Sequence, residues 1–158
     1  MTSFESELLK LQSQNLHRRL KVAEDPQGPR LRVDGRELLN FSSNDYLGLA
    51  FHPDVIRGAQ EAAARWGTGA GASRLVCGTS GIHEELERRL AAWAGAEAAL
   101  VFPSGFQANL GAIQALVGAE DEVYVDRLVH ASLVDGARAS GARLKVYPHR
   151  DTERLGEL

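Results

Sequence analysis

Two stretches of this chain hold residue types able to do chemistry. The first is Ala98–Leu110, AALVFPSGFQANL. Five apolar residues, Ala98 to Phe102, suit a strand covered on both faces, as in a parallel sheet. A Pro103-Ser104-Gly105 turn follows, after which Phe106, Leu110, Ile113 and Val117 recur at helical spacing. A helix opening near Gly105 presents free backbone N–H groups and the positive end of its dipole. Glycine at that point lets a ligand approach the backbone, so the turn is able to hold a phosphate. Such turns also serve in α/β proteins only to change direction. The second stretch centres on His130, just past the strand-like EVYVD (Glu122–Asp126) and just before the next helix. Ligands in open α/β sheets gather at the carboxyl ends of strands. An imidazole there can stack on a flat ring or move a proton, and it can equally cap a helix.

The remaining histidines offer less. His17 lies in a basic stretch, His52 precedes a proline, His83 opens a helix beside two glutamates and His149 sits in a turn. No pair has zinc-site spacing, and HEELE lacks the second histidine of HExxH. The loop from Gly67 to Gly71 is not followed by Gly-Lys-Ser/Thr, and no strand leads into it, so neither a Walker A nor a dinucleotide loop is expected. Arg18 and Arg19 read as a solvated helix face. Asn44 and Asp45 are ordinary turn residues, although a buried Asn44 would be able to read a carboxylate.

The elements that must position these residues can be laid along the chain. Residues 3–22 are expected to be helical, with Phe4, Leu8, Leu11, Leu16 and Leu20 as an incomplete apolar stripe. Pro26, Gly28 and Pro29 form a linker. Arg30–Phe41 reads as a hairpin turned at Asp34-Gly35 in type I′ geometry. Pro53 opens a helix reaching about Trp66. A loop of small residues, GTGAGASRLVCGTSG, leads to Ser80 as a helix cap, with Glu84 and Glu85 at the positive end of the dipole. Ile82, Leu86, Leu90 and Trp93 share one face of that helix. The strand at 98–102, the strand Glu122–Asp126, a helix from Ala131 to Ser140 and a third strand, Arg143–Tyr147, complete a βαβαβ run that argues for a parallel sheet. RDTERLGEL then opens a further helix.

The chain has 158 residues, 44% hydrophobic and 25% charged, a globular profile. A net charge of -3 gives no reason to expect a nucleic-acid partner. Cys77 is the single cysteine, so no internal disulfide can form and a reducing, cytoplasmic setting is the expectation. The amino-terminal stretch lacks the apolar core of a secretory signal, and no segment is long enough to span a membrane. Three strands without a closing element are few for a doubly wound sheet, so the sequence is expected to be cut and not finished.

Four motifs occur in order: NFSSNDYLGLA (Asn40–Ala50), GTGAGASRLVCGTSGIHEELE (Gly67–Glu87), FPSGFQAN (Phe102–Asn109) and DRLVHASLVDGARASGA (Asp126–Ala142). Together they resemble the α-oxoamine synthases, pyridoxal-phosphate enzymes of the aspartate-aminotransferase fold type. The resemblance runs from about Arg18 to Asp151. It implies an α/β fold in two parts. Residues 1–50 would form an N-terminal helix and hairpin segment. Residues 51–158 would form the first part of a mostly parallel, doubly wound PLP-binding domain of fold type I, incomplete here.

The same resemblance implies an acyl transfer with pyridoxal 5'-phosphate as cofactor. Gly105 and Phe106 would offer backbone N–H groups to its phosphate, and His130 would stack on its ring and touch the substrate. Arg18, in the basic stretch ending the first helix, would bind the acyl substrate. Ser42-Ser43-Asn44-Asp45 favours the family member of the biotin pathway, which condenses L-alanine with pimeloyl-CoA or a pimeloyl-carrier protein. The glycine-using members that make 5-aminolevulinate or 2-amino-3-oxobutyrate are the alternative within the family. Outside it, the alternative is a non-catalytic α/β phosphate-binding module. A homodimer is implied for the full-length enzyme, with the Gly67–Gly78 loop near a shared site. The lysine that captures the cofactor lies far downstream in the family. The only lysines here, Lys10, Lys21 and Lys145, match no such motif. No catalytic residue is therefore assigned, and the fragment alone is expected to be inactive, poorly folded or aggregating.

Overall fold

The computed structural model describes residues 3–26 and 28–158. The chain divides into two compact units, the first ending at Gly69 and the second running Ala70–Leu158.

In the first unit, helix α1 (Phe4–Ser13) is capped by Ser3, whose hydroxyl accepts the Ser6 N–H at 3.2 Å. The expected helix to residue 22 stops nine residues early. Asn15 takes a left-handed φ of 55°. The N–H groups of Leu16 and Asn15 turn back to the carbonyls of Leu11 (2.8 Å) and Gln12 (3.1 Å), closing the helix in a Schellman turn. Arg18 therefore lies on irregular chain and not at the end of a helix. Strands β1 (Arg30–Val33) and β2 (Arg36–Leu39) pair antiparallel, Val33 opposite Arg36. Asp34 and Gly35 both have positive φ, 51° and 70°, as a type I′ turn requires. The Glu24 carboxylate accepts the Gly35 N–H at 2.8 Å and fastens the preceding chain to the turn. A 3-10 turn at Leu49–Phe51 leads into α2 (Pro53–Trp66), where Pro53 takes the first helical turn as expected.

The second unit opens with a π-helical turn at Arg74–Gly78 and helix α3 (Gly81–Ala94). Helix α4 (Gly105–Leu116), strand β3 (Glu122–Asp126), helix α5 (Ala131–Ser140), strand β4 (Arg143–Tyr147) and helix α6 (Thr152–Glu157) follow. β3 and β4 pair in parallel, Glu122 with Arg143 through Asp126 with Tyr147, with α5 as the crossover. α4 packs on α5. Their approach depends on Gly136, where an added Cβ would stand 3.0 Å from Ile113 Cδ1 and 3.3 Å from the Asn109 carbonyl oxygen. Val125 of β3, Ser132 and Ala137 of α5, and Ala91 of α3 are buried.

The expected strand at 98–102 is absent. Those residues are irregular, and the sheet contains β3 and β4 alone, so the βαβαβ run reduces to one βαβ unit. A strand exists only by pairing, and an apolar run cannot supply its own partner. No helix among the described residues is long and apolar enough to cross a membrane.

The α4–α5 contact yields a paired test. Gly136→Val should destabilise the second unit by about 1–3 kcal/mol through overpacking. Gly58→Ala, in α2 where nothing lies within 4 Å, should stabilise by about 0.5–1 kcal/mol. Urea melts of the variants in the full-length enzyme measure both.

Candidate functional site

The turn at Phe102–Gly105 is anchored at both ends. On its upstream side, Glu87 of α3 sends one carboxylate oxygen to the Val101 N–H at 2.9 Å. The same carboxylate takes a two-pronged grip from Arg74, at 2.8 and 3.0 Å. Arg74 Nη1 also reaches the Val101 carbonyl at 3.4 Å, and Arg74 Nε donates to Thr79 at 3.1 Å. The backbone groups of Val101, which a neighbouring strand would otherwise pair, are taken up by this ion pair. On the downstream side, the Phe102 ring lies against α4 so closely that a Cβ at Gly111 would meet its Cε1 at 2.9 Å.

Helix α4 then begins at Gly105, with the Ser104 hydroxyl accepting the Gln107 N–H at 3.2 Å. No group among the described residues accepts the N–H of Gly105 or Phe106. These are the two donors that the family resemblance assigns to the cofactor phosphate, and both residues are exposed.

His130 caps α5. Its Nδ1 accepts the Ser132 N–H at 3.2 Å and lies 2.6 Å from the Ser132 hydroxyl. Ser132 is fully buried and receives the Asn109 amide Nδ2 at 2.8 Å. The cap reading of His130 is thus what its ring does locally. The ring is also tied through Ser132 to Asn109, one turn along α4 from Gly105. His130 is thus linked, through Ser132 and Asn109, to the helix that begins at Gly105 and Phe106. Arg18 stands in the first unit, exposed, with no ion-pair partner among the described residues. Asn44 is exposed and not buried; its Oδ1 accepts the Tyr46 hydroxyl at 3.4 Å, while Asp45 caps the 3-10 turn through the Leu49 N–H at 2.8 Å. A cleft of about 570 Å³ in the first unit is bordered by Pro29, Asn40, Asp45 and Tyr46 and contains none of the three residues of the second. No cluster of metal-ligating side chains is present among the described residues.

Two acidic residues at this site escaped the sequence reading. Arg74, then the Val101 N–H, hold the Glu87 carboxyl at about 2, below its usual 4.5. Asp126, at the end of β3, is brought from 3.8 to about 2 by the N–H groups of Leu128 and Arg150 and by His149. The corresponding distances are 2.7, 2.9 and 3.0 Å. Asp126 thereby ties the loop before His130 to the end of β4. The available signal was modest: a carboxylate ending a strand at a βα turn, and an arginine thirteen residues before a glutamate.

The sign of the pH effect follows from those depressed values. Between about pH 4.5 and 2 the unfolded chain holds more protons on these carboxylates than the folded one, so stability falls as pH falls. Above that window their contribution is fully present. Thermal melts of the full-length enzyme from pH 6 to 2 should show Tm falling through the window, and Glu87→Gln should give a lower Tm at pH 6 with a flatter slope below 4.5.

Comparison with known proteins places this geometry. The model of the family "Aminotransferase class I and II" matches residues 36–157. An 8-amino-7-oxononanoate synthase of Geobacter sulfurreducens is 53% identical over 156 residues, covering 99% of this chain and 40% of the relative. A serine palmitoyltransferase structure from S. paucimobilis with bound PLP superposes with a TM-score of 0.82 at 32% identity, covering 98% of this chain and 40% of that one. An 8-amino-7-oxononanoate synthase structure from Francisella tularensis gives 0.64 at 26% identity, over 75% of this chain and 33% of that one. The chain spans about 40% of the length of the curated relatives it matches. The cofactor that these similarities indicate is pyridoxal phosphate. With the family model spanning most of its length, the chain belongs to the class I and II aminotransferases.

Proposed function

We propose that this chain supplies the phosphate seat and the ring-stacking histidine of a PLP-dependent acyltransferase. In this reading the enzyme condenses L-alanine with pimeloyl-CoA or a pimeloyl-carrier protein, with loss of carbon dioxide, to give 8-amino-7-oxononanoate in biotin biosynthesis. The observation that carries it is the pair of unengaged N–H groups at Gly105 and Phe106 on a helix start anchored at both sides. That donor set suits a phosphate dianion: two backbone donors, a positive dipole end, and exposure for ligand entry. When bound, pyridoxal phosphate supplies an electron sink for the carbanion formed at the amino-acid Cα. The chain's own residues bind and orient: Gly105 and Phe106 hold the phosphate, His130 covers the ring and meets the substrate, and Arg18 binds the acyl carboxylate. Covalent capture of the cofactor needs a lysine that the family resemblance places beyond Leu158, so the chain alone should not turn over.

Identity near 50% to several 8-amino-7-oxononanoate synthases supports alanine and a pimeloyl thioester. The serine palmitoyltransferase likeness at 32% identity keeps the amino acid as the variable to test. Full-length enzyme should turn over alanine with pimeloyl-CoA; turnover confined to glycine or serine, or to acetyl- or succinyl-CoA, would overturn the assignment. The seat has its own test. Gly105→Pro is tolerated at a first helical position and follows Ser104 in extended geometry (φ -154°, ψ 155°). It deletes one donor, so affinity for pyridoxal phosphate should fall by roughly a factor of ten while affinity for pyridoxal stays unchanged.

A homodimer of cytoplasmic enzyme belongs to the same proposal. It rests on the family resemblance, which puts the Gly67–Gly78 loop near a shared site; Leu75 in that loop stands 99% exposed. Sedimentation of full-length enzyme should give a dimer; a monodisperse monomer at micromolar concentration would count against this part.

A further inference from the structure

The hydrogen bonds around His130 fix more than the start of a helix. A backbone N–H can only donate, and that of Ser132 is directed at His130 Nδ1 at 3.2 Å. Nδ1 of the neutral ring must therefore offer its lone pair. The Ser132 hydroxyl, 2.6 Å from the same nitrogen, completes the arrangement. Its oxygen receives Asn109 Nδ2 at 2.8 Å, so its own proton is free to point at Nδ1. Ser132 has no exposed surface, so water does not compete for its hydroxyl. Donors thus run in one direction, from Asn109 on α4 to Ser132 on α5 to the imidazole.

We infer that Asn109 and Ser132 are positioning residues that hold neutral His130 as the Nε2–H tautomer. The ring is held on its Nδ1 side, and a proton is presented on the opposite edge. The exposed edge of His130 is then a hydrogen-bond donor, suited to a carboxylate or carbonyl oxygen and not to an N–H. Because Asn109 lies on the helix that begins at Gly105, the same α4 that offers the anion donors also sets the direction of this one. The inference concerns the ring alone and holds whether or not a cofactor is bound.

His149 provides an internal contrast. Its Nδ1 faces both oxygens of Asp126 at 3.0 Å, and a carboxylate can only accept, so His149 must carry its proton on Nδ1. One spectrum of the full-length enzyme, isotopically labelled at histidine, should show the two rings as opposite tautomers.

Long-range 1H–15N correlation above the histidine titration range reads this directly. Expected are His130 with Nε2 protonated, His149 with Nδ1 protonated, and a Ser132→Ala variant in which the His130 Nδ1–H form grows by roughly a factor of ten. Ser132→Thr, which keeps the hydroxyl, should restore the wild-type ratio. If Ser132→Ala does not fold, Asn109→Ala serves, since it frees the Ser132 hydroxyl to turn away and should shift the ratio in the same direction. A wild-type His130 in the Nδ1–H form or as an even mixture would overturn the inference. So would a ratio unmoved in a folded variant.

Discussion

The ion pair of Arg74 and Glu87 is the interaction on which the second unit's site depends. Its glutamate engages a guanidinium with both oxygens and still accepts the N–H of Val101, while the arginine reaches the carbonyl of the same residue. A peptide that would otherwise need a neighbouring strand is satisfied by two side chains. Glu87 is largely shielded, 15% exposed, and Arg74 is at 34%, so the pair is not an ordinary surface bridge whose value salt would erase. Three residues after Val101 comes Ser104, and with it the start of α4. The glycine-rich segment that carries Arg74, the helix that carries Glu87 and the turn that carries Gly105 are thereby joined at one point.

Beyond that point the site is built by close approach. Phe102 lies on Gly111, and Gly136 brings α5 against Ile113 and the Asn109 carbonyl. These contacts set where Asn109 meets Ser132, and so where His130 is held. Asp126 ties the other side of the same loop to Arg150 and His149. The loop entering α5 is thus fastened at its beginning and at its end.

Local chemistry was legible in the sequence, and long-range pairing was not. Asp34-Gly35, Pro53, Ser80 and Ser104 announced their turns and helix starts, because the signal and the structure lie within four residues of each other. The end of α1 was hidden because Asn15, not glycine or proline, takes the left-handed position that closes it. Residues 98–102 have a strand's composition, yet pairing depends on partners that no local pattern reveals. Glu87 looked like any helix-face carboxylate, since its partners stand thirteen and fourteen residues away. His130 was read with two roles open. Ser132, two residues on, makes the capping role concrete, and Asn109, twenty-three residues before Ser132, ties it to the helix of the phosphate turn.

The early end of α1 changes what Arg18 is. Beyond the cap at Gln14 the chain turns back on α1, the N–H groups of Leu16 and His17 both reaching the Leu11 carbonyl, and Arg18 follows directly on that turn. A helix would have fixed its direction as well as its distance. Irregular chain lacks the helix ladder that would fix it, so a ligand that captures Arg18 must supply the order the backbone does not, at a cost of about 1–2 kcal/mol for each residue immobilised. Selectivity at such a residue resides in the moment of ordering more than in the resting geometry.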